Sequence, residues 1–184
     1  MILVTGFGEF LDVRDNPSSR LARAVDGAVV EGPDGPWPVV GREIAVSYQR
    51  GVAETVALAR SLGARLVIGT GVARQRDEVD VERLGFAGGD ATTPDVDGVC
   101  RPAADGQVRA TIDTGGFAAA MGARCSDDAG RYVCNGWLHD VVLGLPGVPV
   151  GFVHMSPAGM SPERLLRGLG ALAHRHGRAA ALQG

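Results

Sequence analysis

The run Arg65-Leu-Val-Ile-Gly-Thr-Gly71 decides the fold class, because it is a short apolar stretch that leads into a polar loop. A continuous apolar run of this length is typical of a strand that is buried on both faces of a sheet. The segment before it, residues 48–62, has apolar residues at helical spacing and stops at Gly63, as a helix end commonly does. A helix followed by a buried strand predicts an α/β fold.

The same alternation continues in both directions along the chain. We predict further strands at 1–6, 37–47, 79–86 and 149–154, helices at 18–25, 114–121, 133–145 and 161–175, a turn at 28–36 and a long loop at 88–107. Neither an internal repeat nor a linker divides this pattern. The prediction is therefore a single α/β domain over residues 1–184, with a mostly parallel central sheet between helical layers.

The composition excludes several classes of function. Of the 184 residues, 45% are hydrophobic and 21% are charged, and the formal net charge of −3 comes without any run of Lys or Arg. Binding to nucleic acid or to an anionic membrane is therefore not expected. No apolar stretch reaches the length of a membrane span, and the N-terminus is predicted to be a buried strand instead of a signal peptide.

The cysteines indicate a reduced, cytoplasmic protein. There are three of them, Cys100, Cys125 and Cys134, and no C-x-x-C pair occurs. An odd count without such pairs argues against a disulfide framework and against a zinc site. Glycine-rich nucleotide-binding motifs are also missing from the sequence, so we expect neither a cofactor nor a metal.

Cys134 is the candidate nucleophile, in the stretch Asp128-Ala-Gly-Arg-Tyr-Val-Cys134-Asn135. A turn-prone Ala-Gly precedes a cysteine at the start of a predicted helix, where free N–H groups and the helix dipole favour a thiolate. The ordinary interpretation of a lone cysteine is a small buried hydrophobe. The neighbouring Asp127 and Asp128 also weigh against a thiolate if their charges lie close to the sulfur.

A cysteine nucleophile needs a base and a group that orients it. His154 ends a buried strand, where an imidazole is costly without a partner, and a satisfied core histidine is the equal alternative. His139 lies five residues beyond Cys134, about 140° around the helix, and cannot easily face the thiol. Glu82 is the candidate carboxylate, although its alternating strand is ordinarily interpreted as a solvated face.

The chain resembles the pyroglutamyl peptidase I family of cysteine peptidases in segments that span nearly its whole length. Each match is short, but the matches occur in the family's order. They are Val4-Thr-Gly-Phe-Gly-Glu-Phe10, Asn16-Pro-Ser18, Glu82-Arg83 with Pro94-Asp-Val-Asp-Gly98, Ala129-Gly-Arg-Tyr-Val-Cys-Asn135 and Gly151-Phe-Val-His154.

The resemblance implies an α/β/α sandwich that removes N-terminal pyroglutamate from small peptides. Cys134 would be the nucleophile, His154 the base and later the acid, and Glu82 the group that holds the imidazole. The resemblance also places substrate-binding residues around the lactam ring, at Phe7, Phe10, Val72, Thr92 and Val133. Relatives are often homotetramers, so a homo-oligomer is possible.

Several positions depart from the family pattern. The family usually has Asn and Arg where this chain has Ala87 and Thr92, and that Arg is associated with the oxyanion. It also has Gly-Gly where this chain has Leu11-Asp12, and a Gly where this chain has Gln75 in the run Gly71-Val-Ala-Arg-Gln-Arg76. The chain is shorter between Gly98 and Cys125. Two alternatives therefore stand beside the peptidase, namely a non-catalytic binding module and an amidohydrolase for another small amide or lactam.

Overall fold

The alternation predicted from the sequence is present in the computed structural model, which describes residues 1–10 and 14–181. The departure from the family at Leu11 and Asp12 lies outside these residues. The strands are β1 (Ile2–Phe7), β2 (Val29–Gly32), β3 (Gly35–Ile44), β4 (Leu66–Val72), β5 (Asp80–Glu82), β6 (Leu84–Phe86), β7 (Gln107–Arg109), β8 (Arg124–Ser126) and β9 (Val150–Met155). The helices are α1 (Pro17–Val25), α2 (Arg50–Ser61), α3 (Thr114–Met121), α4 (Val133–Gly144) and α5 (Pro162–Ala181).

A central sheet organises the fold, with the strand order β2-β3-β1-β4-β9-β5-β8. The strands β3, β1, β4 and β9 pair in parallel, and β5 pairs in parallel with β8. The two antiparallel contacts are β2 with β3 and β5 with β9. A mostly parallel sheet with crossover helices is the arrangement that the alternating pattern predicts.

Helices cover both faces of this sheet, which makes three layers. One hydrophobic cluster joins α1, α3 and α5 to one face of the sheet, with Phe117 and Leu165 among its fully buried members. The other cluster joins α2 and α4 to the opposite face, with Trp137 and Phe152 at its centre. The predicted α/β/α sandwich is therefore confirmed.

Two glycines on β4 let α4 pack closely against the sheet. A Cβ on Gly69 would lie 2.5 Å from the ring of Trp137, and a Cβ on Gly71 would lie 2.9 Å from the sulfur of Cys134. Both distances are shorter than carbon or sulfur contacts allow. The Gly-Thr-Gly end of the strand therefore provides the space that the first turns of α4 fill.

The start of α1 follows the sequence signal closely. Asn16 caps the helix by accepting a hydrogen bond from the Ser18 N–H, and Pro17 occupies the first helical position. This pairing of a cap and a proline is a favoured helix start, since the proline lacks the N–H that would otherwise be unpaired.

Two predictions of secondary structure are wrong. Residues 28–36 were expected to form a turn, but β2 occupies Val29–Gly32 and pairs with β3 as a hairpin that turns through Gly35 at a φ of +105°. Residues 79–86 were expected to form one strand, but β5 and β6 belong to different sheets. The short strands β7 and β8 were not predicted, because three residues are too few to carry a periodic signal.

Candidate active site

Cys134 is the second residue of α4, at the carboxyl edge of the sheet. Within the described part of the chain, the N-cap Tyr132 makes no side-chain hydrogen bond to the helix. The first N–H groups of α4 thus lack the side-chain acceptor that Asn16 supplies to α1. The sulfur lies beside Gly71, whose missing side chain leaves room for it.

His154 is brought to the same place by β9. In the parallel pairing of β4 with β9, His154 is the residue opposite Gly71, which is the glycine that faces the sulfur. Only 4% of His154 is exposed, and its ring packs edge-on against Phe152 with centroids 4.9 Å apart. The imidazole is therefore packed against an aromatic ring and shielded from water.

Glu82 approaches the imidazole from the other side. Glu82 Oε1 lies 2.7 Å from His154 Nδ1. The contact runs diagonally across the antiparallel pair β5 and β9, in which Glu82 is opposite Phe152 and Asp80 is opposite His154. Glu82 is completely buried, so the ordinary interpretation of it as part of a solvated face is wrong. The reason is that both faces of β5 are covered, since all three of its residues are buried.

The two neighbours of His154 determine its charge. Burial by itself lowers the pKa of the imidazole, but the charge and hydrogen bond of Cys134, followed by those of Glu82, raise the pKa to about 9. The ring is consequently protonated near neutral pH. A positive charge thus lies between a sulfur on one side and a carboxylate on the other, which is the arrangement that activates a thiol.

The acidic residues before Cys134 are engaged elsewhere. Asp127 forms a bidentate ion pair with Arg83, with an Nε–Oδ1 distance of 2.8 Å. The Asp128 carboxylate accepts a hydrogen bond from the Gly130 N–H at 2.9 Å. The guanidinium of Arg83 offsets the charge of Asp127, which weakens the objection for that residue, whereas the hydrogen bond to Asp128 brings no opposite charge.

A cavity of about 320 Å³ opens beside the sulfur. Three of the residues predicted to contact the substrate line it, and the ring of Phe10 packs against that of Tyr132 at a centroid distance of 5.2 Å. The lining also contains residues that the sequence did not single out. The full set is Phe7, Phe10, Asn16, Val46, Val72, Arg74, Asp90, Thr93, Tyr132 and Cys134.

Thr92 and Val133 are not among these lining residues. Thr92 is exposed, and both its N–H and its hydroxyl donate to Asp90 Oδ1, at 2.7 and 2.6 Å. The Val133 side chain is fully buried in the core between α4 and the sheet. The side chains next to them in the sequence, Thr93 and Tyr132, face the cavity instead.

Asp90 gives one wall of the cavity a negative charge. Hydrogen bonds from the side chain and backbone of Thr92, and then from Thr93, lower the pKa of Asp90. The length of the 88–107 loop was a general signal of function, but it did not identify which residue would face the cavity. An ionised carboxylate in the wall is a chemical feature of the cleft that the sequence analysis missed.

The described residues contain no group of three or more His, Cys, Asp or Glu side chains arranged to hold a metal ion. In the same part of the chain, no helix has the length and apolar character needed to span a membrane.

Comparisons with known proteins identify relatives. The family described as pyroglutamyl peptidase matches residues 1–159. A pyrrolidone-carboxylate peptidase of Klebsiella pneumoniae (strain 342) is 30% identical over 168 residues, covering 84% of this chain and 77% of the relative. One from Cupriavidus taiwanensis is 32% identical over 171 residues, with the same coverage of 84% and 77%.

Solved structures show the same likeness. The pyroglutamyl peptidase I of Bacillus amyloliquefaciens superposes with a TM-score of 0.81 over 96% of each chain, at 20% identity, which is a likeness of fold. The pyrrolidone carboxyl peptidase of Thermus thermophilus superposes with a TM-score of 0.77 at 26% identity, over 94% of this chain and 98% of that one. Together with the sequence relatives, these structures lead to one conclusion: the chain belongs to the pyroglutamyl peptidase family.

Proposed function

We propose that this protein is a cysteine peptidase that removes pyroglutamate from the N-terminus of small peptides. Cys134 is the nucleophile, His154 the general base and acid, and Glu82 the group that orients the imidazole. The observation that carries the proposal is the position of His154 between the two other residues. Its Nδ1 lies 2.7 Å from Glu82 Oε1, and the charge and hydrogen bond of Cys134 raise the pKa of the same ring. Membership of the pyroglutamyl peptidase family supports the same assignment.

The first half of the reaction breaks the amide bond. The Cys134 sulfur, its proton transferred to His154, attacks the carbonyl carbon between the lactam ring and the next residue, and a C–S bond forms. The carbonyl oxygen takes the negative charge in a tetrahedral intermediate. When that intermediate collapses, the C–N bond breaks, and His154 gives its proton to the leaving amine.

The second half restores the enzyme. Water attacks the thioester carbonyl while His154 accepts one of its protons, and the C–S bond breaks. Free pyroglutamate leaves, and the proton on His154 balances the charge of the regenerated sulfur. Glu82 takes part in neither proton transfer, and it fixes the ring and stabilises the imidazolium.

The start of α4 supplies the charge stabilisation that the intermediate needs. Its N-terminal N–H groups carry the positive end of the helix dipole and lie next to the sulfur. Val133 therefore contributes through its backbone N–H, since its side chain is in the core. This backbone donor acts in place of the arginine that the family usually has at the position of Thr92.

The cavity suits a small flat ring. Phe7, Phe10 and Val72 form an apolar wall beside Cys134, in a volume of about 320 Å³ that lies at the lower end for small-molecule sites. Thr92 contributes indirectly, because it fixes Asp90, which lines the cavity. A lactam that packs against the apolar wall would bind more favourably than a charged N-terminal amine, because the amine would lose its hydration there.

The cytoplasm is the proposed location, and a homo-oligomer is a possible assembly. The three cysteines, Cys100, Cys125 and Cys134, are all free thiols, which is the usual state in a reducing compartment. The measurements that address these two points are fractionation of cells and light scattering of the purified protein.

Hydrolysis of a pyroglutamyl-aminocoumarin substrate tests the function. The wild-type protein should release the fluorophore, and Cys134→Ala should not. An alanyl-aminocoumarin, which carries a free amine and no lactam, tests whether the lactam is what the cavity recognises. Turnover that survives Cys134→Ala would reject the mechanism. Turnover of other lactams, but not of the pyroglutamyl compound, would favour the amidohydrolase alternative, and an unreactive Cys134 thiol would favour the binding module.

A further inference from the structure

Arg76 makes a close contact inside the candidate site that the chemistry described above does not use. It belongs to the loop between β4 and β5, and its side chain is 21% exposed. Arg76 Nη1 lies 2.6 Å from Glu82 Oε1. This is the same oxygen that lies 2.7 Å from His154 Nδ1, so one carboxylate oxygen accepts from a guanidinium and an imidazole together.

The guanidinium is held from several directions. Arg76 Nη1 also donates to Asp80 Oδ2 at 2.9 Å. Arg76 Nη2 donates to the Asp128 carbonyl at 2.5 Å and to Ser126 Oγ at 3.4 Å. These partners come from β5, from β8 and from the segment that leads into α4. A planar donor group with partners in three segments has little freedom to rotate.

Glu82 depends on this contact. The carboxylate is completely buried, and among the described residues its second oxygen, Oε2, has no hydrogen-bond partner. Asp80, a second buried carboxylate, lies two residues away on the same strand. Without Arg76, Glu82 would keep only the imidazole as a partner and would be near an anion in a poorly hydrated setting.

We propose that Arg76 is a positioning residue for the Cys134–His154–Glu82 group. Its guanidinium ties the Glu82 oxygen to the backbone just before α4, and so sets the distance between the carboxylate and the helix that carries the sulfur. This inference rests on the proposed function, since it gives Arg76 a part in the same reaction. Arg76 acts through Glu82 and does not itself touch the substrate.

Arg124 provides a matched control. It donates to Asp80 through Nε at 3.0 Å and through Nη2 at 3.3 Å, and it pairs with Glu78 at 2.9 Å. Neither of these partners is Glu82 or belongs to the segment before α4. Arg124→Gln thus removes a guanidinium from the same pair of strands while leaving the Glu82 contact in place.

The first experiment compares Arg76→Gln, Arg76→Lys and Arg124→Gln. Arg76→Gln should lower kcat about 10- to 100-fold, as the loss of an outer partner of a reactive group commonly does, with little change in KM. Arg76→Lys should recover part of the loss because it restores the charge without the fork of donors. Arg124→Gln should keep the wild-type kcat. Melting temperatures identify any variant whose lower kcat results from unfolding.

A double substitution separates positioning from general damage. If Arg76 acts through Glu82, then adding Arg76→Gln to Glu82→Gln should cause no further loss of kcat. Two losses that multiply would overturn the proposal. So would a folded Arg76→Gln variant that keeps the wild-type kcat.

The rate at which iodoacetamide alkylates Cys134 does not depend on the substrate. Mass spectrometry of the Cys134 peptide, with the exposed Cys100 as an internal reference, should show slower alkylation in Arg76→Gln than in wild type and Arg124→Gln. If wild type fails to hydrolyse the pyroglutamyl compound but this difference is seen, the proposed function fails and the positioning role stands. If wild type hydrolyses it and Arg76→Gln matches wild type in both assays, only the positioning role fails.

Discussion

Two clusters of buried polar side chains lie near the carboxyl ends of the central strands, and they differ in charge. The neutral cluster consists of Asn16, Ser18 and Thr70. The charged cluster consists of Arg76, Glu82 and His154. Asn16 belongs to the wall of the cavity, and His154 interacts with Cys134, which is also part of that wall.

The neutral cluster is held by hydrogen bonds between uncharged groups. Asn16 donates to the Gly8 carbonyl at 2.9 Å, and the Ser18 hydroxyl bonds to Asn16 Oδ1 at 2.9 Å. The Thr70 hydroxyl donates to the Thr5 carbonyl at 2.9 Å. No member carries a charge, so these bonds hold the segment after β1, and with it the wall of the cavity, at any ordinary pH.

The charged cluster is built differently. The bonds between its members converge on a single oxygen of Glu82, and the other oxygen has no partner among the described residues. Its imidazole has a pKa of about 9, so its charge changes within the range of pH at which proteins remain folded. The comparison teaches that one cluster maintains shape, while the other keeps a proton available for transfer.

Glu82→Gln should have the largest effect on activity. The neutral amide that replaces the carboxylate cannot stabilise an imidazolium and can hold the ring in the wrong tautomer, which costs about 10⁴-fold in kcat in comparable groups. The comparison predicts that kcat falls far more than stability does. Steady-state kinetics and thermal melting of the same preparation test this. A variant that melts at a much lower temperature yet retains most of its kcat would show that Glu82 maintains the shape of the protein and does not serve catalysis.

The pH dependence of stability should differ between the clusters. The pKa of His154 is about 9 in the folded protein, against an ordinary value of 6.5, so the folded state binds this proton more tightly. The stabilisation is therefore fully present below about pH 6.5 and is lost as the pH rises through about 9. The free energy of unfolding, measured with a denaturant across this range, should fall less steeply in Glu82→Gln than in wild type.

Asn16→Ala serves as the control for that curve. Its own curve should run parallel to that of wild type, because no charge is removed. If the free energy of unfolding of Glu82→Gln changed with pH in parallel with that of wild type, the proposed difference between the two clusters would be wrong.

Asn16→Ala should itself lower the free energy of unfolding by about 1–2 kcal/mol, because it removes a helix cap and leaves a backbone carbonyl without its donor. It should also raise KM, since the cavity wall loosens. Asp113 caps α3 through a hydrogen bond to the Gly116 N–H at 3.1 Å and is absent from the cavity lining. Asp113→Ala should therefore lower stability while KM stays the same. An equal change in KM for both variants would contradict the inference that Asn16 holds the wall of the cavity.

Asp90→Asn should have the smallest effect. The ionised carboxylate in the wall should favour substrates with a cationic residue after the pyroglutamate, and its loss should reduce that preference about 2- to 5-fold, as expected of a partly exposed charge. The measurement is the ratio of kcat/KM for pyroglutamyl-lysyl and pyroglutamyl-glutamyl peptides. Asp97→Asn is the control, because Asp97 lies in the same loop but pairs with Arg50. Equal ratios in wild type, Asp90→Asn and Asp97→Asn would show that Asp90 does not contribute to substrate selection.

The sequence predicted the parts of the fold that have strong local signals. The strands β1, β4 and β9 are continuous apolar runs, and α1 has both its cap and its proline, so each lies close to its predicted position. The burial of Glu82 could not be predicted, because alternation along a strand does not say whether other elements cover its polar face. Likewise, the residue of the 88–107 loop that faces the cavity depends on turns that Asp90 forms with Thr92 and Thr93.

The family resemblance identified the residues of the charged cluster except for Arg76. That residue stands at the arginine of the family pattern, next to the departure at Gln75, but the resemblance gives it no role. Its contact with Glu82 depends on how the loop folds back on β5. A long side chain reaching across six positions leaves no periodic trace in a sequence.

The antiparallel pairing of β5 with β9 limits which changes of chain length the site can accept. In this register Val81 is opposite Val153, and Glu82 reaches the imidazole from the same side of the sheet as Phe152. Inserting or deleting a single residue between Asp80 and Glu82 would turn the carboxylate towards the opposite helical layer, whereas the loop of residues 73–79 can absorb such a change without moving the strand. Natural variants of this enzyme should therefore vary in length in that loop far more readily than within β5.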